Sequence, residues 1–103
     1  MANQWGIPKE VEDLVKQRDV SCVYCGVSFN QLHTSIKTKP SWEHIINDMR
    51  INGPDNIALC CRSCNASKGT KLLKDWLNSK YCLAKGITKD NVAPVVQNHI
   101  NKQ

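Results

Sequence analysis

Apolar residues recur along this chain in two rhythms. Over residues 8–18, PKEVEDLVKQR, Val11, Leu14 and Val15 share one face of a helix. Pro8 suits the first helical position, where no N–H is needed, and Glu10, Glu12 and Asp13 suit the positive end of the helix dipole. Over residues 41–46 the period falls to two, with Trp42, His44 and Ile46 on one side of a strand and Glu43 and Ile45 on the other. Gly53-Pro54-Asp55-Asn56 is a turn signal, and Ile57 to Cys60 reads as the returning strand. The loop of this hairpin is about ten residues, longer than the usual two to five, and long loops on small scaffolds are often functional.

The helical period returns in residues 61–69, where Cys61, Cys64, Asn65 and Lys68 stand at i, i+3, i+4 and i+7 and Gly69 ends the run. Thr70 can cap a following helix, KLLKDWLN, whose Leu72, Leu73, Trp76 and Leu77 form a packing stripe. Tyr81 to Gly86 adds a further helical turn or two, and residues 88–102 read as a helix interrupted or begun near Pro94. Residues 30–40, NQLHTSIKTKP, show no period and read as a loop. His33 in that loop is expected to be a surface residue, and Lys37 and Lys39 are available to phosphates.

The chain has 103 residues, which predicts one domain over 1–103. Its core is expected at about 20–79, with an N-terminal helix at 8–18 and a helical extension at 80–103. A chain this small buries a modest fraction of its surface, so staples beyond the core are expected. The N-terminal MANQWGIPKE carries no positive flank and no apolar run, and no stretch approaches the roughly 18 apolar residues of a membrane span. These features predict a soluble, intracellular (cytoplasmic) protein, in which paired cysteines serve metals more often than disulfides.

Six cysteines are present. Cys22 and Cys25 form one Cys-x-x-Cys pair, with Gly26 behind it to allow a tight turn, and Cys61 and Cys64 form a second. Zinc takes four thiolates in a tetrahedron at about 2.3 Å, so these four predict a structural Zn²⁺ site. The 35 residues between the pairs exceed the spacing of simple ribbons by about a loop and a hairpin. Cys60 rivals Cys61, but only Cys61 has the two-residue spacing to Cys64; Cys60 and Cys82 are expected to be buried or free thiols.

Charge points to a partner. The formal net charge is +5, and from Arg62 to Lys89 seven basic residues stand against Asp75 alone. A one-sided basic surface suggests a polyanion, most simply nucleic acid, with Lys37, Lys39, Arg62, Lys68, Lys71 and Lys74 as its contacts. A solvated, lysine-rich helix surface would give the same composition.

A second constellation comprises Glu43, His44, Asn56, Asn65 and Lys68. Hydrolysis at phosphate needs a base for water, a hard divalent cation with oxygen ligands, and further positive charge. His44, Glu43 with Asn65, and Lys68 could supply these in turn. Taken singly, His44 reads first as a satisfied strand histidine and Asn65 as a helix-start residue.

The run EH, then NIALC, then CRSCNASKG resembles the HNH endonucleases, in particular the zinc-stapled subgroup with two Cys-x-x-Cys knuckles. The resemblance covers Cys22 to Gly69, and the flanks resemble small restriction-type HNH proteins. It implies an α+β fold, a small ββα-metal, treble-clef-like core with a structural four-cysteine zinc site and flanking helices. It implies His44 as the general base, Asn56 as the brace of the hairpin loop that orients the histidine, and Glu43 and Asn65 as ligands of a catalytic divalent cation. Glu43 stands where the family more often has Asp, and Asn65 where it more often has His. Oxygen ligands favour Mg²⁺ or Mn²⁺. Adjacent strand residues point to opposite faces, so Glu43 and His44 can serve one phosphate only at a strand end or a bulge, and an irregularity is expected there.

The function so implied is a metal-dependent DNA endonuclease, nicking or restriction-type, acting on double-stranded DNA, with a homodimer or two visits needed to cut both strands. The rival is a noncatalytic zinc-knuckle module that binds nucleic acid. No membrane partner is expected.

Overall fold

The computed structural model describes residues 6–29, 38–48 and 50–102. His33 and Lys37 lie outside the described residues.

The chain begins with α1 (Lys9–Arg18) and passes through the first cysteine pair to β1 (Pro40–His44). It continues as β2 (Ile57–Cys61), α2 (Arg62–Lys68), α3 (Leu73–Leu77), α4 (Lys80–Lys85) and α5 (Pro94–Lys102). The strands form a two-stranded antiparallel sheet with an unbroken register from Pro40↔Cys61 to His44↔Ile57. Of the strand end or bulge expected at Glu43 and His44, the register shows no bulge and β1 ends at His44. It stops two residues short of the expected Ile46 because Asn56 takes over the pairing. Ile45 N–H donates to the Asn56 carbonyl at 2.9 Å, and Ile46 N–H to Asn56 Oδ1 at 2.7 Å.

Period-two alternation holds in β1, but with an inverted chemistry. Glu43 and Ile45 face the interior, whereas Trp42 and His44 are half-buried and Ile46 is exposed. Every residue of β2 is buried. The main core gathers Tyr24, Ile45, Ala58, Leu73, Trp76, Ile87 and Val96 with the cysteines. Trp76 is fully buried, its ring 4.8 Å edge-on from Tyr24 and its Nε1–H bonded to Ser67 Oγ at 3.0 Å. Truncating such a tryptophan to alanine typically costs about 3–5 kcal/mol.

Three helix expectations shift. Pro8 is the N-cap of α1, one position before the helix, and Leu14 is exposed while Val11 and Val15 pack inward. Leu72 precedes α3 as its N-cap and is exposed, so the packing stripe is Leu73, Trp76 and Leu77, and Thr70 lies outside the helix. The C-terminal helix begins at Pro94, whose fixed φ suits a helix start.

The end of α1 is fastened to the hairpin by charge. Arg18 holds the buried Asp19 carboxylate through two bonds of 2.7 and 2.9 Å and also donates to the carbonyls of Pro54 and Ile57. Asp19 in turn accepts the Leu59 N–H at 3.0 Å. No helix among the described residues is long and apolar enough to cross a membrane.

Candidate functional site

The first cysteine pair forms a tight turn. Cys22 N–H donates to the Val27 carbonyl and Gly26 N–H to the Cys22 carbonyl, with Gly26 at φ 81°, a region L side chains rarely enter. Val23 N–H donates to the Leu59 carbonyl at 3.2 Å, which lays this turn against β2. The second pair sits where β2 becomes α2. Cys61 is the N-cap of that helix, its sulfur accepting the Cys64 N–H at 3.4 Å, and Cys25 N–H makes the matching 3.4 Å bond to Cys22 Sγ.

These two turns bring Cys22, Cys25, Cys61 and Cys64 together, with all four sulfurs within 4.8 Å of one another. The Cys25 and Cys61 sulfurs are 3.7 Å apart, and none of the six cysteines forms a disulfide. A tetrahedral ion with metal–sulfur bonds of about 2.3 Å needs sulfurs about 3.8 Å apart. The cluster could therefore hold a structural metal ion such as zinc. The thiols themselves favour a cation. Contact with Cys22, then Cys61 and Cys64, draws the Cys25 thiol far below its ordinary range, while Cys22 and Cys25 push the Cys61 and Cys64 thiols up. The Cys22 thiol is opposed by Cys25 but lowered to about 6 by Cys61 and Cys64, so thiolates form on the first pair and are resisted on the second, the repulsion that a dication removes.

Cys60 and Cys82 are fully buried outside this cluster. Burial, and next the Glu43 carboxylate, push the Cys60 thiol well up, so it remains an inert SH.

The residues around β1 form a second group. His44 Nε2 lies 2.8 Å from Asn52 Oδ1. An amide oxygen only accepts, so Nε2 carries a proton, and in the neutral ring Nδ1 is the nitrogen with the lone pair. Asn56 is fully buried and braces the loop from within. Its Oδ1 accepts the Ile46 N–H, and its Nδ2 donates to the carbonyls of Ile46 at 3.2 Å and Ile51 at 3.0 Å. The bracing residue and the residue on the histidine are thus different asparagines. The loop also carries Asp48, whose carboxyl is drawn down to about 2 chiefly by hydrogen bonds from Arg50.

Helix α2 lies along β1. Asn65 Nδ2 donates to Ser41 Oγ and to the Trp42 carbonyl, both at 3.0 Å. Because a carbonyl must be met by a donor, the amide nitrogen faces the strand, and Asn65 serves no cap. One turn further on, Lys68 Nζ donates to the Ile45 carbonyl at 3.0 Å and lies 3.1 Å from Glu43 Oε2. The same carboxylate oxygen accepts the Tyr24 hydroxyl at 2.6 Å. Burial, then Glu43, keeps that phenol far above its usual pKa and so a donor. Lys68 is 1 % exposed and Glu43 5 %. Lys68, expected to meet phosphate, is instead sealed inside, while Lys39, Arg62, Lys71 and Lys74 are exposed. Glu43, expected to bind a cation, is occupied by an ammonium and a phenol.

Sequence reasoning passed over Asn52, Tyr24 and Tyr81. Asn52 had a local signal as the residue before Gly53 in the turn; the two tyrosines had none beyond their closeness to cysteines in the chain. Comparison with protein families, with curated proteins and with solved structures gives no match.

Proposed function

We propose that this chain is a zinc-stapled hydrolase of nucleic-acid phosphodiesters, with double-stranded DNA as substrate and His44 as general base. The observation that carries this reading is the histidine's setting. His44 ends β1, half-buried, with Nε2–H held by Asn52, so in the neutral ring Nδ1 carries the lone pair that would take a proton. The succession β1, β2, α2, with the cysteine cluster at the strand–helix junction, supports a ββα-metal core of the HNH kind. In this chemistry Nδ1 removes a proton from water as the water oxygen attacks phosphorus, the bond from phosphorus to the 3′ oxygen breaks, and that oxygen takes a proton from solvent water, leaving a 5′-phosphate and a 3′-hydroxyl. Exposed Arg62, Lys71 and Lys74 would hold the backbone without reading its bases.

The resemblance assigns a catalytic cation to Glu43 and Asn65, and the side chains as arranged do not fit it. The Glu43 carboxylate is buried in its bonds to Lys68 and Tyr24, and Asn65 turns its nitrogen to the strand. The chemistry ascribed to this chain therefore rests on His44 alone. The same observation favours a second reading, a noncatalytic zinc module that binds DNA through its basic surface.

Plasmid nicking in Mg²⁺ or Mn²⁺, comparing the native chain with His44→Ala, separates the two. General-base loss typically lowers the rate by about 10²–10⁴. Equal nicking by both chains removes His44 as the base, and DNA binding without nicking in either ion establishes the second reading.

A further inference from the structure

Tyr81 lies on α4, outside both cysteine pairs, yet its hydroxyl is 3.3 Å from Cys64 Sγ and 2.9 Å from Ser63 Oγ. Its position is fixed from several sides. The ring stacks on Trp76 with centroids 5.9 Å apart, Lys85 Nζ lies 5.3 Å from the ring centroid, and Ser79 caps α4 by accepting the Cys82 N–H. The two hydroxyl contacts agree on one direction of donation: Ser63 O–H to the tyrosine oxygen, and Tyr81 O–H to the sulfur.

Four thiolates around a dication carry a net charge of minus two, so the sulfurs benefit from hydrogen-bond donors. Cys22 and Cys61 each receive one from the backbone, from Cys25 N–H and Cys64 N–H. Cys25 lies in a turn and draws on the backbone of Val27. Cys64 lies inside α2, where the corresponding amide, that of Ala66, is directed along the helix to the Arg62 carbonyl. A side chain from another element takes that place.

We propose that Tyr81 is the hydrogen-bond donor to the metal-bearing Cys64 thiolate, a positioning residue that strengthens the metal site and joins the C-terminal helices to it. The inference rests on the four-cysteine site holding a metal and is independent of hydrolysis. It is tested on the full chain loaded with Co²⁺, native against Tyr81→Phe, by the thiolate-to-cobalt charge-transfer absorption and by competition with a chromophoric chelator. Phenylalanine keeps the stack on Trp76 and removes only the donor. The thiolate then becomes a better electron donor, the absorption moves to longer wavelength, and affinity falls about tenfold, the lower end of losses seen for such outer partners. Ser63→Ala is expected to move both readouts the same way by less. An unshifted absorption overturns the proposal, even alongside weakened binding, since weakened binding alone would report packing. Failure of the native chain to bind Co²⁺ overturns it too.

Discussion

His44 Nε2 and Asn52 Oδ1 are 2.8 Å apart, eight residues along the chain and on opposite sides of the end of β1. This contact selects the imidazole tautomer. Replacing Asn52 by Leu removes the acceptor, and the proposed nicking is expected to fall about tenfold or more, less than the 10²–10⁴ of losing the base. Asn52→Asp keeps an acceptor and is expected to retain more activity than Asn52→Leu. Nicking rates with far-UV circular dichroism as a folding control check both; equal rates for Asn52→Leu and the native chain would remove the orienting role.

The Glu43–Lys68 pair predicts an asymmetric response in stability. Lys68→Met leaves a buried carboxylate whose remaining donor is Tyr24, and breaking one side of a buried pair typically costs about 3–5 kcal/mol. The double change Glu43→Gln with Lys68→Met removes both charges and is expected to recover part of that loss. Urea unfolding of the native chain, Glu43→Gln, Lys68→Met and the double variant measures this; additive losses would mean that the two side chains do not interact.

Burial also separates Lys68 from the exposed cations. If exposed cations hold DNA, neutralising Arg62, Lys71 or Lys74 reduces the slope of log affinity against log salt by about 0.9 each. Lys68, at 1 % exposure, is expected to leave the slope unchanged in any variant that remains folded. Fluorescence-anisotropy titrations of a labelled duplex at several salt concentrations provide the comparison.

Asp48 supplies the pH dependence. Its carboxyl lies at about 2 against an ordinary 3.8, principally because Arg50 donates to it from side chain and backbone. A carboxyl lowered on folding contributes fully above its unfolded value, and that contribution is lost as pH falls from about 3.8 through about 2. NMR titration is expected to show the Asp48 midpoint near 2 and, in Arg50→Ala, a midpoint moved back toward 3.8.

Much of this arrangement was legible in one dimension. The spacing of the four cysteines placed them together, and the helical run at 61–69 matches α2 with its N-cap Cys61 and C-cap Gly69. The same spacing held a warning about Lys68. A residue seven positions beyond Cys61 shares the inward face of the cysteines, and only the habit of treating lysine as solvated placed it outside. Glu43 shows the converse: alternation puts it on the same side as Ile45 but does not encode the Tyr24 and Lys68 that meet it there. The contact of His44 with Asn52 depends on how the loop folds back, which no periodicity encodes.

A metal seated on the four sulfurs would tie Cys25 to Cys61 across 36 positions of chain. Closing a loop of that length removes about 4 kcal/mol of unfolded-chain freedom if the tie behaves as a cross-link does. That contribution depends only weakly on loop length, since doubling the loop changes it by about 0.6 kcal/mol. The segment between the two turns, which carries β1 and His44, is therefore free to lengthen or shorten with little effect on what the cluster contributes.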